Sequence, residues 1–542
     1  MPRKVRTDRQ ACQTCRRQKR RCDKALPACS LCCRAGRDCR YDASTPSRPP
    51  SPEIAHGAAQ AAVPGPSPSN NGTQFGSNGF TIPRQPSGFT ALRTKCSASF
   101  FLDYKVFKLL RPAVTDESDT ALLPDLMRYI RHPAQIRQEV DIYFQSTHMY
   151  FPVVSKLRLY QELSTTTSPT RADTILFLSA SQLHTQLDVD NEPAHRALYW
   201  RVKAGCVDVE RSGVLSVRAL QAILLVALYE ITNAIYPAAY LTVGHCARLG
   251  HMMSLHFVDK TPQLIGPPST VTELEERRRV WWSIIILDRY VNLGCNRPMG
   301  CDDASPNDFL PIDDRFWDQG DLASVQPLVS ASSVHEPASA FARACQASHL
   351  LSRVLRQIRD RDTDADILYQ EAIQLHRTLL VLSSLIRDES HAAIERSCDV
   401  TAQLPLFTAA GVCFSALLTL YGRYSCADDS PEEHRGNANL LEMQKQAIAG
   451  LKEVLKHVVQ LAQRVEAIAQ LGGMLKMSPF ISNCLYQAGA ACLWWIRESG
   501  SQEGKSMLVV IRGALRLLGT RWESPRRYID ILEQFDTLMK AT

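Results

Sequence analysis

Residues 11–39 read ACQTCRRQKRRCDKALPACSLCCRAGRDC, and six of the seven cysteines fall into two matching halves. Cys12, Cys15 and Cys22 are spaced C-x2-C-x6-C; after a six-residue connector, Cys29, Cys32 and Cys39 repeat that spacing. The repeat predicts two equivalent ligand sets related by a local pseudo-twofold. Thiolates suit zinc, and closed zinc sites take four ligands in a tetrahedron. Six thiolates cannot fill two separate four-ligand sites, but they can fill two sites that share two sulfurs. The count therefore predicts a binuclear cluster of two structural Zn2+ with two bridging cysteines. Such a site leaves no coordination position open for catalysis. Using Cys33 in place of Cys32 would give C-x3-C-x5-C and break the symmetry, so Cys33 is read as a spare thiol.

Other uses of these cysteines fail on composition. The chain starts MPRKVRTDRQ, with no apolar signal core to lead it to a disulfide-forming compartment. No histidine precedes His56, which excludes a Cys-Cys-His-His finger. A zinc deaminase needs H-x-E ahead of P-C-x-x-C, and Pro27 is separated from Cys29 by Ala28.

Charge points to the partner. Residues 1–42 hold thirteen Lys and Arg against four Asp, while the whole chain of 542 residues is only +7. The remainder is thus slightly acidic, and all the positive excess sits in the first tenth of the protein. That asymmetry is the footprint of a phosphate-binding module on a near-neutral body. The segment Thr14 to Arg21 is expected to be a short helix held at both ends by zinc-bound Cys15 and Cys22. A helix in the major groove can present one long donor to a guanine while flanking cations grip phosphates. Ser30 to Ala35 would form the matching second helix, ended by Gly36. The basic runs RKVR (3–6) and RRQKRR (16–21) suit nuclear import.

With these residues in place, the segment resembles the fungal binuclear zinc cluster DNA-binding domain. It matches that family's spacing at all six cysteines, its basic run (here Arg16–Arg21) and its connector proline (here Pro27). The resemblance implies that Cys12 and Cys29 bridge the two zincs, and that Lys19, three positions before the third cysteine, reads a base in a CGG-type triplet. Gln18 stands where the family often carries a second lysine. Arg16, Arg17, Arg20 and Arg21 are expected on phosphates. The implied protein is a nuclear transcription factor of RNA polymerase II genes, binding double-stranded DNA and transcriptional coregulators, with no membrane role.

Beyond the module, residues 43–94 turn rich in Pro, Ser, Gly and Asn, and read as a flexible linker. No leucine or isoleucine heptad appears between Tyr41 and Ala91, so no coiled coil is expected there. The chain binds DNA as a monomer, or the body pairs the subunits.

The body, residues 95–542, reads as all-α, which makes the whole chain mainly α. RALQAILLVALYEI (218–231) is apolar almost all round and too short to span a membrane, so it suits a buried helix. In ELEERRRVWWSIIILDRYVNLG (273–294), Val280, Ile284, Leu287 and Val291 share one face, and Glu275 can pair with Arg279. The uncharged run Val400 to Gly422 is read as a core helix starting at Pro405. Residues 366–386, 440–465 and 504–519 repeat the amphipathic 3.6 period. YIDILEQFDTLMKAT (528–542) is read as a C-terminal packing helix, with coactivator contact as the alternative use of its mixed acidic and apolar residues.

Residues 143–156, 244–256 and 275–311 resemble the fungal-specific transcription factor regulatory domain, over roughly 140–320. That family's regulators often control metabolic or secondary-metabolite biosynthetic gene clusters. Trp281, Trp282 and Asp288 are read as core and helix-pairing residues. No catalytic residue is assigned: His251 and His256 are spaced i, i+5, and neither H-E-x-x-H, G-x-S-x-G nor a phosphate-binding glycine loop occurs.

Overall fold

The structure, a computed structural model, describes residues 11–17, 21–25, 28–36, 38–40, 99–103, 105, 123–127, 133–165, 171–185, 192–256, 264–294, 297–322, 327–330, 335–425 and 437–541. The chain divides into two compact units, Met1–Ile82 and Pro83–Thr542. Among the described residues there is no β-strand, only isolated bridges such as that between Phe309 and Val329.

In the first unit, α1 (Gln13–Arg17) and α2 (Ser30–Arg34) each begin one residue after the first cysteine of a half. Gly36 takes φ +59, a left-handed turn that costs glycine least, just beyond the end of α2. Arg21 and Cys22 are already outside helical structure, so a helix running to Arg21 is one residue too long at least. Gln18, Lys19, Arg20 and Pro27 lie outside the described residues, as does the whole linker expected over 43–94.

The second unit is built from long helices: α3 (Pro133–Gln145), α4 (Ala172–Thr185), α5 (Glu192–Arg211), α6 (Val217–Thr232), α7 (Ala238–Met252), α8 (Val271–Val291), α9 (Ala340–Arg359), α10 (Ala365–Ser397), α11 (Phe407–Tyr424), α12 (Ala438–Gln470), α13 (Ile481–Ser499), α14 (Gln502–Leu518) and α15 (Glu523–Ala541). Helix α4 lies on α6, α6 on α7, α7 on α8 and α8 on α9. Helix α9 then runs along α11, which also meets α10, α12 and α13, while α13 carries α14 and α15. One continuous apolar core results.

Helix α11 is the centre of the C-terminal half. Pro405 sits in a 3-10 turn, Val400–Leu406, and the α-helix begins two residues after the proline. Val400–Tyr424 is long and apolar enough to cross a membrane, with mean hydropathy 1.7, yet 89% of that window is buried inside the unit. It is a core helix. A Cβ on Gly411 would lie 2.6 Å from the Phe480 carbonyl oxygen, so only glycine lets α11 approach the start of α13.

Helix α6 is buried from Ala219 through Thr232, and the Ser216 Oγ accepts from the Ala219 N–H at 3.0 Å to cap it. Helix α8 departs from the one-face expectation. Val280, Ile284 and Leu287 are buried as read, and so are Trp281, Trp282 and Asp288, read as core and helix-pairing residues; burial extends beyond these to Glu275, Glu276, Arg279 and Arg289. Charges survive burial because each is answered. Arg279 Nε meets Glu275 at 3.0 Å, the expected i, i+4 pair, and its Nη1 meets Asp314 at 2.8 Å. Its guanidinium also lies 3.9 Å over the Trp317 ring. Asp288 accepts from the Gly300 and Cys301 N–H groups, and Arg289 donates to the Ser352 Oγ and the Cys301 and Asp302 carbonyls. The pair thus holds the 300–303 loop between α8 and α9. At the far end, α15 buries Leu532 completely while Ile531, Phe535 and Leu538 stay exposed.

Candidate metal centre

The two halves of the cysteine module are built alike. Cys12 Sγ accepts from the Cys15 N–H at 3.4 Å, and Cys29 Sγ accepts from the Cys32 N–H at 3.4 Å. The Arg16 N–H donates to the Cys12 carbonyl and the Cys33 N–H to the Cys29 carbonyl, both at 3.0 Å. In each half the first helical turn therefore wraps around the first cysteine and turns the second toward it. The sequence repeat is a structural repeat.

The turns bring sulfurs from both halves together. Cys12 Sγ lies 3.8 Å from Cys29 and 3.7 Å from Cys32, and Cys15 Sγ lies 3.7 Å from Cys29 and 3.9 Å from Cys32. A tetrahedron with zinc–sulfur bonds of about 2.3 Å has edges of about 3.8 Å. The sulfurs sit at the separations zinc requires, and this donor set fits that metal. Cys22 is within hydrogen-bond reach of Cys15 and Cys29, and Cys39 of Cys32. Cys39 Sγ also accepts from the Cys29 N–H at 3.2 Å. Cys12, Cys15, Cys29 and Cys32 thus form one mutually close sulfur quartet, with Cys22 beside Cys15 and Cys29, and Cys39 beside Cys32. Cys32 is 1% exposed, whereas its neighbour Cys33 faces solvent.

Protons on two of these thiols, those of Cys15 and Cys32, are hard to remove without a cation. Burial, with the Cys12 and Cys29 thiols alongside, pushes Cys15 up to about 12, and burial with Cys29 and Cys12 pushes Cys32 well above the ordinary thiol range. Burial also acts to raise Cys29, but the Cys32 N–H and neighbouring thiols outweigh it and lower the net value. Zinc binding would release these protons as it forms the thiolates.

Two fastenings were not visible in the cysteine spacing. The Asp23 carboxylate accepts from the Ser30 N–H at 3.1 Å and from its hydroxyl, which holds Asp23 below the usual carboxylate range. It braces the start of α2 from beside Cys22. The only sequence signal for it is an acid just after the third cysteine. The return strand is tied down as well: Thr14 Oγ1 donates to the Asp38 carbonyl at 2.7 Å and the Gln13 N–H to the Arg40 carbonyl at 2.8 Å.

Of the residues assigned to DNA, Arg16, Arg17 and Arg21 are exposed beside the buried sulfurs, while Gln18, Lys19 and Arg20 lie outside the described residues. His251 and His256 come closer than their spacing suggests, with ring centroids 4.7 Å apart, because α7 ends at Met252 and the chain turns at Ser254. Among the described residues no third ligand joins them; groups of three or more metal-ligating side chains occur only in the cysteine module.

Residues 10–48 match the model of the fungal Zn(2)-Cys(6) binuclear cluster domain, and residues 140–394 that of the fungal specific transcription factor domain. The second match runs past the fragments that carry the resemblance, through most of α10. The chain is 35% identical to transcription factor BOA15 of Botryotinia fuckeliana over 181 residues, covering 33% of this chain and 98% of that protein. It is 29% identical to transcription factor tazR of Aspergillus terreus over 161 residues, covering 29% of this chain and 26% of tazR. It is 26% identical to the pigment biosynthesis transcriptional activator pigB of Monascus ruber over 342 residues, covering 59% of each. Of these last two, the chain spans less than two thirds of the length. The matched families and relatives are transcription factors, not enzymes, and the cofactor is the zinc of the six-cysteine cluster.

Proposed function

The chain belongs to the fungal binuclear zinc cluster transcription factors, and on that premise we propose that it reads CGG-type triplets in double-stranded DNA to control a set of biosynthetic genes. In this reading residues 1–42 contact DNA, residues 43–94 tether them, and residues 95–542 regulate. Cys12, Cys15, Cys22, Cys29, Cys32 and Cys39 hold two zincs, with Cys12 and Cys29 shared. The metal's part is structural: it fixes the pitch and direction of α1. Lys19 reads the base, Gln18 neighbours it, and Arg16, Arg17, Arg20 and Arg21 grip phosphates.

The observation that carries the reading is the tie between sulfur cluster and cationic helix. Cys15 turns inward at 1% exposure while Arg16 and Arg17, next along α1, stand in solvent. A cluster that orients a helix so that its cations face outward is suited to a phosphate-lined groove. The pigment biosynthesis function in the printed name of pigB supports a biosynthetic gene set as the target. Family membership implies a nuclear protein, and the basic runs support import to the nucleus.

The test is an unbiased DNA selection with zinc-loaded full-length protein at physiological salt, beside Lys19→Ala. Enrichment of CGG-type triplets by the parent and about a tenfold or greater loss of preference in the variant is the expected result, since one good base contact carries about 1–3 kcal/mol of discrimination. Single triplets would mean a monomeric reader, and pairs at fixed spacing a dimer. Equal, motif-free binding by both proteins would overturn the reading.

A further inference from the structure

A cavity of about 560 Å³ opens between helices α4, α5 and α6 and the joint from α14 to α15. Its size falls within the range of small-molecule sites, about 300–1,000 Å³. One wall is aromatic. The Tyr199 ring lies 5.4 Å from that of Tyr229 and 5.1 Å from that of Trp200, centroid to centroid. Trp200 is 61% exposed at the rim, a large ring left facing solvent at the mouth of a cavity.

The opposite side is cationic. Among the described residues, four arginines line the cavity, at 196, 521, 526 and 527, against one carboxylate, Glu523. That carboxylate is already engaged, with Arg527 at 3.0 Å and Arg526 at 3.5 Å. The nearby buried Glu230 is answered by Lys203 at 2.6 Å. Both histidines of the cavity are neutral at physiological pH, because burial holds His184 down at about 4 and lowers His195 as well.

Arg521 stands out. Its guanidinium donates to the carbonyls of Met474 and Leu475, each at 2.6 Å, and of His184 at 3.3 Å, and it lies 4.7 Å over the Trp522 ring. No carboxylate among the described residues pairs with it. The fully buried arginines of α8 and α9 each have one: Arg279 has Glu275 and Asp314, Arg289 has Asp288, and Arg343 has Glu389. Among the described residues its partners are neutral carbonyls, the Tyr150 hydroxyl and the Trp522 ring, so no carboxylate there answers the charge of this largely desolvated cation, which is costly in a low-dielectric site.

From the aromatic wall, the excess of arginine and the missing counter-ion, we infer that this cavity is a binding site for a planar aromatic carboxylate. The ring system packs against Tyr199, Trp200 and Tyr229, and the carboxylate supplies the charge that Arg521 lacks. Because Arg521 already joins the end of α4 to the 473–476 turn and the start of α15, such a ligand would lock the C-terminal helix onto the N-terminal half of the unit.

The experiment is isothermal titration of the zinc-loaded full-length protein with 2-naphthoate and with its neutral isostere 2-naphthamide. Saturable one-to-one binding of the naphthoate, at least about tenfold tighter than the amide, is expected. Trp200→Ala and Arg196→Gln, both at exposed positions, should weaken naphthoate about fivefold or more without changing the melting temperature. Equal affinity for acid and amide would overturn the inference. So would the absence of saturable heat from either probe, or full-strength binding in both variants. The titration contains no DNA, so its outcome and that of the DNA selection are independent.

Discussion

At the residue scale, the adjacent pair Cys32 and Cys33 separates metal chemistry from mere composition. Cys32 Sγ is buried 3.7 Å from Cys12 and 3.9 Å from Cys15, whereas Cys33 faces solvent from the next position of the same helix. Successive helical residues point about 100° apart, so only one of the two can enter a sulfur cluster. Cys33→Ser is therefore expected to bind two zincs per chain, measured by native mass spectrometry, and to keep its DNA affinity within about twofold. Cys32→Ser is expected to lose at least one zinc and the fold of the module with it, since metal binding and folding are coupled in such sites. Equal zinc content in the two variants would remove the ligand assignment. The six-fold spacing made this set legible in the sequence, because the regular interval is itself imposed by the ligand geometry. Asp23 and the Thr14–Asp38 tie were not legible: a single carboxylate or hydroxyl has no period, and its partner is chosen only when the chain folds back.

At the element scale, α8 shows where pattern reading stops. A 3.6 period marked Val280, Ile284, Leu287 and Val291 as one buried face, and that face is buried. Periodicity assumes that charged positions mark the solvent side, and in α8 they do not. Asp288 and Arg289 are consecutive, so they point in different directions, yet both turn into protein because a loop and α9 bring them backbone and hydroxyl partners. Removing Asp288 takes the nearest carboxylate from Arg289, leaving it the Asp303 carboxylate at 3.3 Å, and frees the Gly300 and Cys301 N–H groups. Asp288→Ala is expected to destabilise the helical unit by about 3–5 kcal/mol, whereas Glu453→Ala, in an exposed pair on α12, should cost under about 1 kcal/mol. Denaturant unfolding followed by far-ultraviolet circular dichroism measures both. Similar small losses would show that Asp288 is not holding the loop. The α11 boundary teaches the same lesson on a smaller scale: proline suits a first turn, but here that turn is 3-10 and the α-helix starts at Phe407.

At the scale of the molecule, charge and metal are concentrated in one unit and apolar burial in the other. Residues 1–42 hold thirteen Lys and Arg against four Asp, in a chain whose total is only +7. The module's described core is four buried cysteines with two more packed against them, too few apolar groups to hold a fold without metal. The helical unit has its own continuous core, and the groups of metal-ligating side chains among its described residues include no trio. Chelating the zinc is therefore expected to abolish DNA binding while leaving the main thermal transition of the helical unit within about 2 °C, read by circular dichroism on the full chain. Restoring zinc should restore binding. The affinity of the restored protein should also fall steeply with salt, because each phosphate neutralised releases counter-ions and adds about 0.9 to the slope of log affinity against log salt. Arg16→Gln should lower that slope by about 1 without altering the preferred sequence, since a phosphate contact carries position and not base identity. If chelation instead melted both units together, the helical body would depend on the metal module for its stability, and the division of labour drawn from charge, cysteine and core would fail.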